Sequence, residues 1–431
     1  MNVRVFPTTR LEGDIVLPAS KSYSVRAFMI AACGGRSRIG SPSLCDDALA
    51  AAMVAKKLGA RISRHGQEWD IEANAAREDL KCIDVKESGT VLRMLLPLVA
   101  LRDQPARVIG QGTLKGRPNH HLVQTLQQLG VAVSGVGKKH SVPIDFSGGQ
   151  LSGGTVVIDG SLSSQFISAL LMVCPQLPQD STLKISGPKM VSTDYITMTL
   201  QVLKAAGIRI DRRSSRCFKI PGGQVYKGLR SFSVPSDYGL AAFLMAAAAL
   251  VPSKVTLKGV LGDKFIQADG RILPILERMG VVFRKTSRSL RLSGPFQLKG
   301  GVFSLKDCPD LLPVLSVLAL FADRPVKFTH IEHVRAKESD RIFDLAHELR
   351  KIGASLEEGR DFLTVQPRSP QEYRQNVTVN PYSDHRLAMA FAVLGLRTGI
   401  QVKDMECVAK SYPDFFRDLK ALGGKIQKQS R

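Results

Sequence analysis

No stretch of this chain strings together the ~18 to 20 uncharged apolar residues that a membrane-spanning helix needs, and the first residues, "MNVRVFPTTRLEGD", lack the apolar core of a secretory signal. A cytoplasmic protein is expected. The seven cysteines (Cys33, Cys45, Cys82, Cys174, Cys217, Cys308 and Cys407) are odd in number, scattered, and never in CxxC spacing. That excludes a disulfide framework and a cysteine zinc site, and the thiols are expected to be reduced and mostly buried. The eight histidines supply no HExxH or comparable ligand spacing; His120 and His121 are adjacent on a polar stretch, and no metal is expected. Acidic residues are scarce beside basic ones, 38 against 60, leaving a net charge of +22 that favours anionic partners. Basic clusters at 138–140, 212–216 and 284–288 sit at turn-like positions between apolar strands, without the interleaved aromatics of single-strand binding surfaces. They fit solvated hairpin tips, and no specific nucleic-acid partner is expected.

What the chain does have is a repeat. Its 431 residues, 44% of them hydrophobic, suffice for two or three domains with sizeable cores. Six segments share one pattern, a helix-like stretch ending in glycine and running into alternating residues: "KKLGARI", "QQLGVAV", "LKAAGIRI", "ERMGVVF", "RKIGASL" and "KALGGKI". Their glycines (Gly59, Gly130, Gly207, Gly280, Gly353 and Gly423) recur roughly every 70 residues, too long a period for an ordinary solenoid. Each fits the end of a helix, where glycine tolerates the left-handed backbone that closes it. Each period holds a second helix that is apolar on all sides and therefore buried: "RAFMIAACG", "LRMLLPLVAL", "FISALLMVC", "AAFLMAAAAL", "LLPVLSVLAL" and "LAMAFAVLGL". The unit reads as βαβαββ, and six of them make an α/β protein of two pseudo-threefold domains with three repeats each.

The starts of the six buried helices fall at equivalent points, "SKSYSVR", "ESGTVLR", "SSQF", "SDYG", "CPDLL" and "SDHR", anchored at Ser22, Ser88, Ser164, Ser236, Asp310 and Asp384. Serine and aspartate there are expected as N-caps. Capping does not explain Lys21, Arg26, Arg93, Gln165 and Arg386, which bring charge or amide groups into the first turns of buried apolar helices. A cation at a helix N-terminus opposes the helix dipole, so an anion is the natural third party, and the facing helix ends are expected to form an anion-attracting cleft.

These residues carry a resemblance over essentially the whole chain. The motifs "LPASKSYSVRA" (17–27), "ESGTVLR" (87–93), "LKGRP" (114–118), "DGSLSSQF" (159–166), "PDLLP" (309–313), "VRAKESDR" (334–341), "SDHRLAM" (383–389) and "AKSYPDFF" (409–416) stand in the order of one family. The chain resembles the 5-enolpyruvylshikimate-3-phosphate synthase family of enolpyruvyl transferases. The resemblance implies an inside-out α/β barrel fold, divided into residues 1–19 with 236–431 and residues 20–235, with the active site in the interdomain cleft. It implies transfer of the enolpyruvyl group of phosphoenolpyruvate to the 5-hydroxyl of shikimate 3-phosphate on the route to chorismate and the aromatic amino acids, without a cofactor, by a monomer.

Carried over position by position, the resemblance assigns Lys21, Ser22, Arg26, Ser163, Ser164, Gln165, Ser192, Tyr195, Asp310, His333 and Lys337 to shikimate 3-phosphate. To phosphoenolpyruvate it assigns Lys21, Gly89, Arg117, Gln165, Arg341, Arg386 and Lys410, a set rich in guanidinium groups that suit phosphate and carboxylate. The reaction needs an acid and a base in different places, because the attacking hydroxyl loses a proton while the methylene carbon gains one. Asp310 is the candidate base, Glu338 the candidate for the methylene carbon, and Lys21 a third catalytic candidate. The resemblance further implies that glyphosate occupies the phosphoenolpyruvate pocket. Ala19, Tyr23, Val25 and Glu87 depart from the commonest family residues, and His333 stands where asparagine is frequent. Two other readings remain: the UDP-N-acetylglucosamine enolpyruvyltransferases, whose members usually carry a cysteine in the loop that is "GQGTLKGRP" here, and a basic RNA-binding or RNA-processing protein.

Overall fold

The computed structural model describes residues 1–73 and 80–429. The chain forms two compact units, Met1–Pro18 with Pro235–Arg431, and Ala19–Val234. The Ala19–Val234 unit contains α1 (Lys21–Ala31), α2 (Asp46–Lys57), α3 (Gly89–Ala100), α4 (His120–Gln128), α5 (Ser164–Val173) and α6 (Thr193–Ala205). The other contains α7 (Tyr238–Leu250), α8 (Ile272–Arg278), α9 (Leu312–Ala319), α10 (Phe343–Lys351), α11 (His385–Thr398) and α12 (Phe415–Ala421).

Among the described residues the strands form six four-stranded sheets, each the βαβαββ unit expected from the repeat. In one, Gly154–Asp159 runs parallel to Ser181–Ser186, which pairs antiparallel with Cys217–Ile220, itself antiparallel to Asp211–Ser214. The parallel step requires a crossover, and α5 supplies it. Three sheets are completed by strands distant in sequence. Leu11–Val16 runs parallel to Ser253–Lys258. Asn2–Val5 lies between Ile400–Val402 and Ile426–Gln429, and Phe232–Ser233 pairs parallel with Arg36–Gly40.

The odd-numbered helices form the interior. All thirteen residues of α7 are buried, as the absence of a polar face requires. In the unit containing residues 235–431, α7, α9 and α11 pack against one another; in the other, α3 packs against both α1 and α5. All six repeat glycines follow a helix C-cap with left-handed backbone, φ running from 84° at Gly207 to 103° at Gly423. No helix among the described residues is long and apolar enough to cross a membrane.

Capping differs in detail from the expectation. Ser88 and Asp384 cap α3 and α11, accepting the N–H groups of Val91 and Arg386 at 3.4 and 2.9 Å. For α1, α5 and α7 the caps are instead Ser20, Ser163 and Asp237, not Ser22, Ser164 and Ser236. Asp310 is not at the N-cap position of α9, which Leu311 occupies; it sits in the 3-10 turn Pro309–Leu311 ahead of that helix. The cap is the last residue in extended backbone whose oxygen reaches the second or third N–H, and where two polar residues lie close together only the backbone path selects between them. Ser22, Ser164 and Asp310 thus stand one to two residues from the cap positions of their helices.

Candidate active site

In the Ala19–Val234 unit the candidate residues gather at the starts of the buried helices. Lys21 opens α1 and pairs with Asp47 of α2 at 3.1 Å. Arg26, only 1% exposed, donates to Thr199 Oγ1 at 2.8 Å, to the carbonyl of Ser22 at 2.9 Å and to that of Tyr195 at 3.2 Å, with its guanidinium 5.7 Å from the Tyr195 ring. Burial pulls its pKa down to about 10, against the opposing influence of Tyr195 and Tyr23. Ser192, at the start of α6, holds left-handed backbone (φ 56°) and accepts the N–H of Tyr195 on its carbonyl at 3.2 Å. Tyr23, one of the departures from the family pattern, points away into packing, its hydroxyl donating to Gln201 of α6 at 2.6 Å.

Gln165, in the first turn of α5, is oriented by two neighbours on α3. Its Oε1 accepts from Arg93 Nη1 at 2.6 Å and its Nε2 donates to Thr90 Oγ1 at 2.9 Å. An amide held at both ends presents one fixed orientation. Arg93 itself is buried, donates to Asn119 Oδ1 and the carbonyl of Pro118, and lies over the Phe166 ring. Arg117 ends the 3-10 turn Gly112–Gly116, and its guanidinium occupies the space beside Gly89: a Cβ on Gly89 would stand 2.6 Å from Arg117 Nη1. Glycine permits that close approach, and a Cβ there would make the guanidinium shift, since the distance is well inside van der Waals contact.

In the other unit the site is organised around Arg341, 1% exposed. Its Nε and Nη2 grip both oxygens of Asp384 at 2.7 and 3.2 Å, Nη1 reaches Asp310 Oδ1 at 2.7 Å, and Nη2 reaches Glu338 Oε2 at 3.0 Å. Burial alone would lower the guanidinium pKa, but Asp384, Asp310 and Glu338 hold it well above the ordinary arginine value. Glu338 is thus anchored to a buried cation, whereas the surface ion pair of "VRAKESDR" joins Arg335 to Asp340. Asp310 meets three cations: Arg341, Lys337 at 3.4 Å and Arg386 at 3.0 Å. Lys410 donates to the carbonyl of Ser383 at 2.9 Å, next to Asp384. His333 is buried in the 3-10 turn Glu332–Ala336 that leads to Lys337.

Several residues at this site escaped sequence reasoning. Asp384, expected only as a helix cap, is also the principal partner of Arg341. Asp269 lies 3.4 Å from Arg386 Nη2, and its carboxyl is pushed up to about 7 by burial, with Arg386 opposing and Asp310 and Asp237 reinforcing the rise. Gly239 leaves room for it, since a Cβ there would be 2.2 Å from Asp269 Oδ2. Thr90, Asn119, Thr199 and Asp47 hold candidate side chains in the other unit. No spacing rule points to any of them, because each meets its partner through the packing of different helices.

The family described as EPSP synthase (3-phosphoshikimate 1-carboxyvinyltransferase) matches residues 5–419. The chain belongs to the EPSP synthase family. It is 36% identical over 428 residues to the 3-phosphoshikimate 1-carboxyvinyltransferase of Methanosarcina acetivorans, covering 97% of each chain, and 34% identical over 424 residues to that of Escherichia coli O6:H1, covering 96% of this chain and 97% of the relative. Among solved structures, an EPSP synthase from Acinetobacter baumannii superposes with a TM-score of 0.79 at 24% identity, over 99% of this chain and 100% of the other. The enolpyruvyl transferase NikO from Streptomyces tendae gives the same TM-score at 18% identity, over 100% of this chain and 99% of the other. At those identities the structures speak to the fold, which they share with this EPSP synthase family member: two domains built as an inside-out α/β barrel.

Proposed function

We propose that this chain transfers the enolpyruvyl group of phosphoenolpyruvate to the 5-hydroxyl of shikimate 3-phosphate, releasing inorganic phosphate and 5-enolpyruvylshikimate 3-phosphate. The observation that carries the reading is the buried Arg341 with Asp310, Glu338 and Asp384 around it, in a chain whose family is an enolpyruvyl transferase family. It places two separate carboxylates on one cationic scaffold, as a reaction with one proton leaving oxygen and another joining carbon requires.

In this reading Asp310 takes the proton of the attacking hydroxyl as its oxygen bonds to C2 of phosphoenolpyruvate, and Glu338 gives a proton to the methylene carbon. The tetrahedral intermediate then loses phosphate as Glu338 takes a proton back from that carbon and the double bond re-forms. Lys21, Arg117, Arg341, Arg386 and Lys410 oppose the charge on phosphoenolpyruvate and the departing phosphate. Lys21, Ser22, Arg26, Ser163, Ser164, Ser192, Tyr195, His333 and Lys337 hold or frame shikimate 3-phosphate. Gln165, fixed by Arg93 and Thr90, stands between the two substrates. An arriving phosphate or carboxylate competes with Asp310 for Arg386 and Arg341, so binding frees the candidate base as it fills the cationic site.

The deciding assay is phosphate release from phosphoenolpyruvate with shikimate 3-phosphate as acceptor, compared with UDP-N-acetylglucosamine. Release with the first and none with the second is expected; the reverse selects the nucleotide-sugar reading. Salt-dependent binding of generic RNA, without phosphate release, selects an RNA-binding protein.

A second prediction concerns glyphosate, longer than phosphoenolpyruvate and expected to compete with it. In Gly89→Ala the added methyl must displace the Arg117 guanidinium. Overpacking of a tight site costs about 1–3 kcal/mol, and because Arg117 is itself assigned to phosphoenolpyruvate both ligands are expected to bind more weakly, the longer glyphosate by more. The inhibition constant and the phosphoenolpyruvate KM of the two enzymes check it. Equal weakening of both ligands, or a wild-type enzyme insensitive to glyphosate, means that the space beside Gly89 does not discriminate between them.

A further inference from the structure

Tyr382 (φ 52°) and Ser383 (φ 56°) stand in left-handed backbone conformation one after the other, immediately ahead of Asp384. Residues with a Cβ disfavour that region, so two in succession persist only where the surroundings hold them. The holding group is Glu348 on α10, 0% exposed. Its carboxylate accepts the backbone N–H of Asn380 at 2.8 Å and the hydroxyl of Tyr382 at 2.7 Å. Lys351 donates to both of its oxygens, at 2.7 and 2.8 Å, which balances the buried charge. Within the turn, Asn380 Oδ1 accepts the N–H of Tyr382 at 2.9 Å, and Ser383 Oγ donates to Asp404 Oδ2 at 2.6 Å.

This turn feeds the cationic site at three points. The carbonyl of Ser383 accepts from Lys410, Asp384 takes Arg341, and Asp384 also caps the helix whose first turn carries Arg386. We infer that Glu348 is a positioning residue: through Tyr382 and the 380–384 turn it sets the spacing of Lys410, Arg341 and Arg386, and thereby the affinity of the site for its anion. The inference rests on the reading above that these cations hold phosphoenolpyruvate. Loss of the carboxylate lets the two strained residues relax, moves the Ser383 carbonyl, and spreads the cations. Anion binding then suffers more than the chemical step.

The test uses Glu348→Gln and Tyr382→Phe in the full chain. Glutamine preserves shape, but in either orientation its NH2 group faces the Lys351 ammonium, whereas Tyr382→Phe deletes one hydrogen bond and keeps the buried ion pair. The phosphoenolpyruvate KM is expected to rise roughly 10-fold in Glu348→Gln and roughly 3-fold in Tyr382→Phe, with kcat and the shikimate 3-phosphate KM within about twofold of wild type. The dissociation constant for inorganic phosphate, measured by calorimetric titration, should rise in parallel. An unchanged phosphoenolpyruvate KM in folded Glu348→Gln overturns the inference, as does a uniform loss of kcat, both KM values and thermal midpoint, which marks a merely structural role. If Glu348→Gln does not fold, Tyr382→Phe decides by the same criteria. If the wild-type chain releases no phosphate from phosphoenolpyruvate, the functional reading fails separately, and the phosphate titration still judges Glu348: weaker binding in the variants supports it and unchanged binding overturns it.

Discussion

Asp310→Asn is expected to lower turnover by on the order of 100-fold or more while both KM values change much less. The asparagine keeps the shape of the side chain and still accepts a hydrogen bond from Arg341 or Arg386, but it cannot take the proton of an attacking hydroxyl. Asp310 meets three cations, Arg341, Lys337 and Arg386, so the substitution also leaves that group with one negative charge fewer. An arriving anion then meets less competition for the guanidinium groups, and the phosphoenolpyruvate KM should fall slightly or hold steady. Loss of rate without loss of affinity is the signature of a group used in the chemical step. Glu338→Gln should reduce turnover comparably, because an amide does not exchange a proton with a methylene carbon. Exchange of the methylene hydrogens with deuterated solvent during turnover should fall with it. Wild-type turnover in either variant would remove that residue from the mechanism.

Arg341→Met is expected to destabilise its unit by about 3–5 kcal/mol, the cost of deleting one partner from a buried ion-pair network. Arg341 is the cation that Asp384, Asp310 and Glu338 share. Methionine fills much of the same volume without meeting any of their charge, so burial of those carboxylates loses its main compensation. Aspartate 384 is 0% exposed and has the least access to water as a substitute. Denaturant unfolding of the variant beside wild type measures the effect, read from the transition midpoint at constant slope. A change below about 1 kcal/mol would show that the network contributes little net stability. Asp384→Asn separates two roles, since asparagine retains the N-cap of α11 and loses only the charge, and a smaller destabilisation than for Arg341→Met is expected.

The parts of this protein that were legible from sequence are those set by local chemistry. Gly59, Gly130, Gly207, Gly280, Gly353 and Gly423 mark helix ends because each adopts a left-handed backbone that other residues avoid, a constraint acting within one turn. The buried helices announce themselves because a helix without a polar face must be covered, as α7 is on every side. Cations in the first turns of such helices conflict with the dipole, and that conflict marks Lys21 and Arg386 without any knowledge of the fold.

Other features depend on residues that pack together from distant points of the chain. Which of Ser20 and Ser22 caps α1 follows from the backbone path and not from composition. Asp269 and Glu348 are ordinary acidic residues in the sequence, and nothing within several positions of either distinguishes it from an exposed carboxylate. The left-handed pair Tyr382 and Ser383 carries no glycine to betray it, and the groups bonded to its turn, Glu348 and Asp404, come from distant points of the chain.

By itself the sequence determined the six-fold repeat, the α/β class, the helix ends and the residue types placed at each buried helix start, since these follow from periodicity and backbone preference over a few residues. Only the tertiary structure decided that Asp310, Glu338 and Asp384 share the Arg341 guanidinium, that Arg93 and Thr90 fix Gln165, and that Arg117 fills the space left by Gly89. The physical reason is range. A charge inside a protein takes its energy from whatever lies within a few ångströms, and at this site most of those neighbours come from other helices and turns, brought there by packing that no local pattern encodes.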